Sequence, residues 1–70
     1  MSKNRIGKYR TIGTISHSQH MTIAIGSTLI EHVETEDWRN YAIFSKDGKT
    51  YAYHAGDMYE VEKVRLKATA

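Results

Sequence analysis

Asp47-Gly48 lies between Asn40-Tyr41-Ala42-Ile43-Phe44-Ser45-Lys46 and Lys49-Thr50-Tyr51-Ala52-Tyr53-His54, two runs rich in aromatic and β-favouring residues. No other feature constrains the chain as strongly. A two-residue hairpin loop that follows the natural twist of its strands needs positive φ at both central positions. Asp tolerates that conformation and Gly accepts it freely. The stretch therefore reads as a β-hairpin in which Lys46 meets Lys49, Phe44 meets Tyr51 and Ala42 meets Tyr53.

Other segments repeat the theme in weaker form. Tyr9 to Ser16 reads as a strand with a possible bend at Gly13, followed by the polar connection His17-Ser18-Gln19-His20. Met21, Ile23 and Ile25 alternate with Thr22 and Ala24, which predicts a second strand pairing with residues 10–15. Residues 28–36 admit two readings. Thr28 and Glu31 have the spacing of a helix capping box, but Glu34, Glu36 and Asp37 would then sit in the last turn, where the helix dipole opposes negative charge. A strand ending in a turn at Thr35-Glu36-Asp37-Trp38 is the preferred reading. The last strand spans Met58 to Leu66, after Ala55-Gly56-Asp57.

Five or six short strands in 70 residues indicate an all-β fold, a small antiparallel SH3-like or OB-like barrel. The alternative is an α+β fold with a short helix at about 28–37. Residues 1–8 are expected to form a flexible basic arm, 9–66 one β-rich domain and 67–70 a flexible tail.

Which face of the central hairpin is buried depends on the loop after His54, because a slip of one residue turns every side chain over. A three-residue loop, Ala55-Gly56-Asp57, sets Tyr53 against Tyr59 and Tyr51 against Val61. That makes Phe44, Tyr51, Tyr53, Tyr59 and Val61 the core and turns Glu60 and Glu62 outward, the better segregation. A loop of Gly56-Asp57 alone puts Ile43, Ala52 and Val61 inside and leaves an exposed aromatic strip.

A 70-residue domain removes only about 60% of its unfolded surface from water. The chain has no cysteine to staple it by disulfides or to build a thiolate zinc site. No apolar run approaches a membrane span and the N-terminal residues lack a secretion signal, so a soluble cytoplasmic protein is expected. A marginal core, together with strands apolar on both faces, points to a homodimer joined through residues 10–15 or 58–66.

Little in the chain suggests catalysis. No serine or threonine sits in a nucleophile elbow, and there is no glycine-rich phosphate loop. Glu34, Glu36 and Asp37 lie in a hydrophilic stretch where water levels their acidities. His17 and His20 are three apart, with His32 and His54 elsewhere, and this spacing matches no metal motif. No enzyme activity, metal or cofactor is expected.

What remains is surface. Ten Lys and Arg outnumber eight Asp and Glu, for a net charge of +2. The positive charge gathers at the ends and the negative charge at Glu31, Glu34, Glu36 and Asp37. The leading expectation is a non-catalytic interaction module that binds a protein partner. A regulator or inhibitor of a larger protein, of the size encoded by phages and mobile elements, fits that description. Glu34, Glu36, Asp37, Trp38, Arg39 and Tyr41 are its candidate contacts. Trp38 either caps an open barrel end or acts as an interface hot spot beside Arg39. The alternative is nucleic-acid binding, with Lys8, Arg10, Lys63 and Arg65 on phosphates and Phe44, Tyr51 and Tyr53 stacking on bases.

Overall fold

In the computed structural model, which describes residues 5–64, the Asp47-Gly48 hairpin forms in the expected register. Strands β4 (Asn40–Lys46) and β5 (Lys49–His54) pair Lys46 with Lys49, Phe44 with Tyr51 and Ala42 with Tyr53. Asp47 and Gly48 take φ of 50° and 81°, so both central residues are left-handed as the loop requires. Around this hairpin lie β1 (Arg5–Ile6), β2 (Tyr9–Ile15), helix α1 (His17–Ala24), β3 (Thr28–Glu34) and β6 (Asp57–Lys63). The six strands form one antiparallel sheet in the order β1-β2-β6-β5-β4-β3, curled into a half-barrel. The fold is thus the small all-β, barrel-like architecture read from the sequence.

The connection after His54 differs from both expected loops. His54 pairs with Asp57, leaving the two-residue loop Ala55-Gly56, and both of its residues have positive φ, 49° and 90°. Tyr51 consequently sits beside Glu60, Tyr53 beside Met58 and Thr50 beside Val61. The core predicted from Phe44, Tyr51, Tyr53, Tyr59 and Val61 is therefore split between two faces. The concave face buries Ile6, Tyr9, Tyr41, Ile43, Ala52 and Val61, with Val33 and Tyr59 packed against them. Phe44, Tyr51, Tyr53 and Met58 lie on the convex face.

Helix α1 replaces the strand expected over 21–25, and β2 pairs with β6 in its stead. His17, His20, Met21 and Ala24 recur at i, i+3, i+4 and i+7, a helical stripe written over the same residues as the two-residue alternation. Gly26, at φ 86°, stops the helix where only a left-handed residue turns the chain cheaply. The helix lies across the convex face. His17 Nε2–H donates to the Gly56 carbonyl at 2.9 Å, His20 Nε2–H to the Ile15 carbonyl at 3.0 Å, and Lys46 Nζ to the Thr22 carbonyl at 2.6 Å. No residue of α1 is buried, so these polar contacts do much of the holding.

Residues 28–34 form strand β3, which excludes the helix considered at about 28–37, and the turn expected at Thr35 to Trp38 is present. Of the basic arm expected over 1–8, residues 1–4 lie outside the described residues. Arg5 and Ile6 pair with Arg10 and Tyr9, and Ile6 belongs to the core. The ladder of β6 runs to Lys63, and Arg65 onward, including the end of the last expected strand and the tail expected at 67–70, lies outside the described residues.

The half-barrel is drawn together on its open side by contacts of β1–β2 with β3. The Tyr9 hydroxyl donates to Glu31 Oε2 at 2.6 Å, and Lys8 Nζ stands 3.7 Å from the same oxygen. At the Gly7-Lys8 turn, a Cβ on Gly7 would stand 2.7 Å from Val33 Cγ1, so the backbone approaches β3 as closely as only glycine permits.

Candidate functional site

The β3–β4 turn is built by Thr35. Its backbone N–H donates to the Arg39 carbonyl at 2.8 Å, and the Trp38 N–H returns to the Thr35 carbonyl at 3.1 Å. Its hydroxyl donates to Asp37 Oδ1 and accepts from the Arg39 N–H at 3.4 Å. Asp37 Oδ2 then lies 3.4 Å from Arg39 Nε. The Thr35 hydrogen bond is the main reason that the Asp37 carboxyl is held below the usual carboxylate range, with Arg39 adding to it. Three residues, Glu36, Asp37 and Trp38, thus span the tip of a turn tied at its base.

Trp38 closes that tip in the left-handed conformation, φ 63°, and is 84% exposed. Three-residue hairpin loops commonly finish with such a residue, and glycine is the cheap occupant. A tryptophan there costs backbone strain, and it recovers none of that by burial. Trp38 therefore caps no barrel end.

Of the other expected partner contacts, Glu34, Glu36, Asp37 and Arg39 surround the turn and are exposed. Tyr41 does not reach the rim. It is 7% exposed on the concave face, its ring 5.2 Å from that of His54. Glu31, expected in the same acidic patch, points into the closure with Tyr9 and Lys8, and its carboxyl is lowered chiefly by the Tyr9 hydroxyl.

Beneath the turn opens a cleft of about 1100 Å³. One wall is the hairpin with Glu34, Glu36, Asp37 and Arg39. The other is β2 from Thr11 to Thr14, and Arg5, Ile6, Tyr41 and Tyr59 complete it. Arg5 was not singled out from the sequence, Thr35 was named only as part of a turn, and the β2 wall only within residues 10–15 as a dimer edge. The signal available for them was Ile6-Gly7-Lys8-Tyr9, since Gly first in a two-residue loop is a hairpin pattern.

The residues named for nucleic-acid binding are dispersed. Lys8 is paired with Glu31 and Arg10 with Glu62. Tyr51 is buried, Phe44 is half-buried with its ring 6.0 Å from that of Tyr51, and Tyr53 is 38% exposed with the His20 ring 6.0 Å away. Helix α1 roofs this strip: His20, Met21 and Ala24 face Phe44, Tyr53 and Met58 across a cleft of about 250 Å³. Lys63 is exposed, and Arg65 lies outside the described residues.

The four histidines are not drawn together. His17 and His20 meet edge to face with ring centres 4.8 Å apart and each Nε2 engaged by a carbonyl, and His54 Nδ1–H donates to the Asn40 carbonyl at 3.2 Å. Among the described residues no group of three metal-ligating side chains forms, and no helix is long and apolar enough to cross a membrane.

Compared with known proteins, the chain matches no family model, no curated sequence and no solved structure.

Proposed function

We propose that the protein is a non-catalytic interaction module that binds another protein through the tip of its β3–β4 turn, regulating or inhibiting that larger partner. One observation carries this reading: Trp38 is largely presented to solvent in a backbone conformation that disfavours any side chain. Strain of roughly 1–3 kcal/mol persists at positions that the surrounding structure over-determines, and such positions cluster where function needs them. Tryptophan and arginine are the side chains most enriched at the centres of protein interfaces. Trp38 supplies the apolar anchor, Arg39 and Asp37 fix its base, and Glu34 and Glu36 offer charge to a basic rim on the partner. A mobile-element or phage origin suits the size of the chain.

The nucleic-acid reading is the weaker one. It needs stacking faces on Phe44 and Tyr51, which α1 and their own packing cover, and two of its cations are already paired. Of the two interfaces expected for a homodimer, 10–15 or 58–66, the second has no free edge along β6, which pairs with β2 on one side and β5 on the other.

Affinity capture from the source cell, with the wild type beside Trp38→Gly, tests the proposal. A single stoichiometric protein held by the wild type and lost in the variant supports it. Equal capture by both, or recovery of nucleic acid alone, overturns it.

A further inference from the structure

We infer that the protein associates with itself head to tail, the Trp38 tip of one copy seated in the cleft between helix α1 and the convex face of the next. This rests on the interaction-module reading and supplies its regulation: self-association stores the tip until a partner competes for it.

The cleft is a gap between two layers that do not close. Helix α1 turns His20, Met21 and Ala24 toward Phe44, Tyr53 and Met58, and about 250 Å³ is left between them. Apolar faces are ordinarily covered by the layer packed against them. Here Met21 stays 69% exposed and Tyr53 38% exposed. Hydrogen bonds from His17, His20 and Lys46 fix the helix in place, so the gap is held open rather than collapsed. An apolar cavity of roughly 150 Å³ takes one benzene ring. This cleft therefore suits a bicyclic aromatic, and its thioethers and rings make the contacts such a group favours.

The same molecule carries the matching group. Among the described residues Trp38, at 84%, is the most exposed of the large apolar side chains, and it stands at the tip of a turn, where it can enter a recess. Charge matches as well. Beside Trp38, Asp37 is answered by Arg39, while Glu34 and Glu36 make no ion pair among the described residues. At the cleft, Phe44 and Lys46 share one face of β4, and Lys49 lies across from Lys46. Neither lysine makes an ion pair among the described residues. Asp47 in their loop offsets one of the two charges, which leaves the rim positive. A copy cannot fill its own cleft. The tip precedes Asn40 at one end of β4, and Lys46 ends that strand roughly 20 Å away. Tip and recess are different surfaces, so the contact is heterologous and can repeat from copy to copy. One anchor with an exposed polar rim makes it weak.

The test is sedimentation equilibrium of the full-length chain over a wide range of concentration, with tryptophan emission read alongside. Trp38 is the sole tryptophan, so emission reports the tip alone. The expected result is a mean mass that rises with concentration while emission moves to the blue in step. Trp38→Gly should keep the mass of one chain throughout. Met21→Glu, at an exposed position, sets a carboxylate against the acidic tip and should weaken association at least about tenfold. Lys49→Glu should weaken it about two- to tenfold, and Glu36→Lys added to the same chain should recover most of that loss. A mass of one chain at every concentration overturns the proposal. So does association that survives Trp38→Gly or ignores Met21→Glu, since another surface would then join the copies. Blue emission that does not change with concentration also overturns it, because the tip would be covered within one chain. If Trp38-dependent capture of a different protein persists without self-association, this contact fails and the interaction module stands. Self-association through the cleft without any Trp38-dependent partner upholds the contact and overturns the module.

Discussion

Among the described residues three other than glycine take positive φ, namely Trp38, Asp47 and Ala55, and each sits in a hairpin loop. Their sequence signals differ sharply. Asp47 stands before glycine in a pair that announces its loop, so the β4–β5 register could be read directly. Ala55 also stands before glycine, but alanine has no polar side chain to ease the left-handed conformation, and Ala-Gly carries no hairpin signal. The register beyond His54 was illegible for that reason, and with it the side of the sheet that becomes core. Ala55→Asn should stabilise the protein by about 0.5–1 kcal/mol, because asparagine favours this position. Urea denaturation checks it, and a loss of stability would show that the loop needs its alanine. Tyr9 makes a second residue-scale prediction. Burial and the neighbouring Glu31 carboxylate push its hydroxyl up to about 12, so its share of stability is whole below pH 10 and is lost as pH rises through 12. Glu31 is lowered from 4.5, so its share is present above pH 4.5 and is lost as pH falls through its folded value. Tyr9→Phe removes the largest cause of that lowering. The variant should lose about 1 kcal/mol at pH 7 and less at an acid pH below the lowered value of Glu31, where that carboxyl is protonated. Denaturation curves at the two pH values decide it; a cost independent of pH would mean that the hydroxyl acts without the carboxylate.

Elements were legible where one periodicity ruled alone. β3 follows from alternation and from the acidic residues that bar a helix end, and the β3–β4 turn follows from the cluster of polar residues after it. At 17–24 two periodicities coexist. Met21, Ile23 and Ile25 satisfy a strand, while His17, His20, Met21 and Ala24 satisfy a helix stripe. Tertiary contacts decide between them. The chain must travel from β2 to β3 across the convex face, where the Gly56 and Ile15 carbonyls receive His17 and His20. The Gly56 acceptor comes from a distant turn that local sequence does not reveal. Strand β1 was hidden by its length of two residues and its basic surroundings. Its turn is testable. Gly7 has φ of 62° and approaches Val33, so Gly7→Ala combines left-handed strain with overpacking and should cost about 2–3 kcal/mol. Thermal unfolding would register it as a clear fall in Tm. An unchanged Tm would show that the β1–β2 turn does not press on β3.

At the scale of the molecule, the core and the tip of the β3–β4 turn are separate parts of one half-barrel. The concave face, gathered around Ile43 and Ala52 and tied by Tyr9 to Glu31, holds the fold. The β3–β4 turn, braced by Thr35, holds Trp38 away from that core. The acidic and aromatic composition of this stretch pointed to a contact surface before any geometry was known. What composition could not show is that Trp38 is strained as well as exposed, because φ depends on how the turn closes and only the loop length sets that. The account predicts that fold and contact are separable at this residue. Chemical denaturation of Trp38→Gly beside the wild type is the direct measurement. Relief of the left-handed strain, less the greater freedom of glycine in the unfolded chain, should leave the variant about 0.5–1 kcal/mol more stable. A variant less stable than the wild type would contradict the account, since Trp38 would then be part of what holds the barrel together.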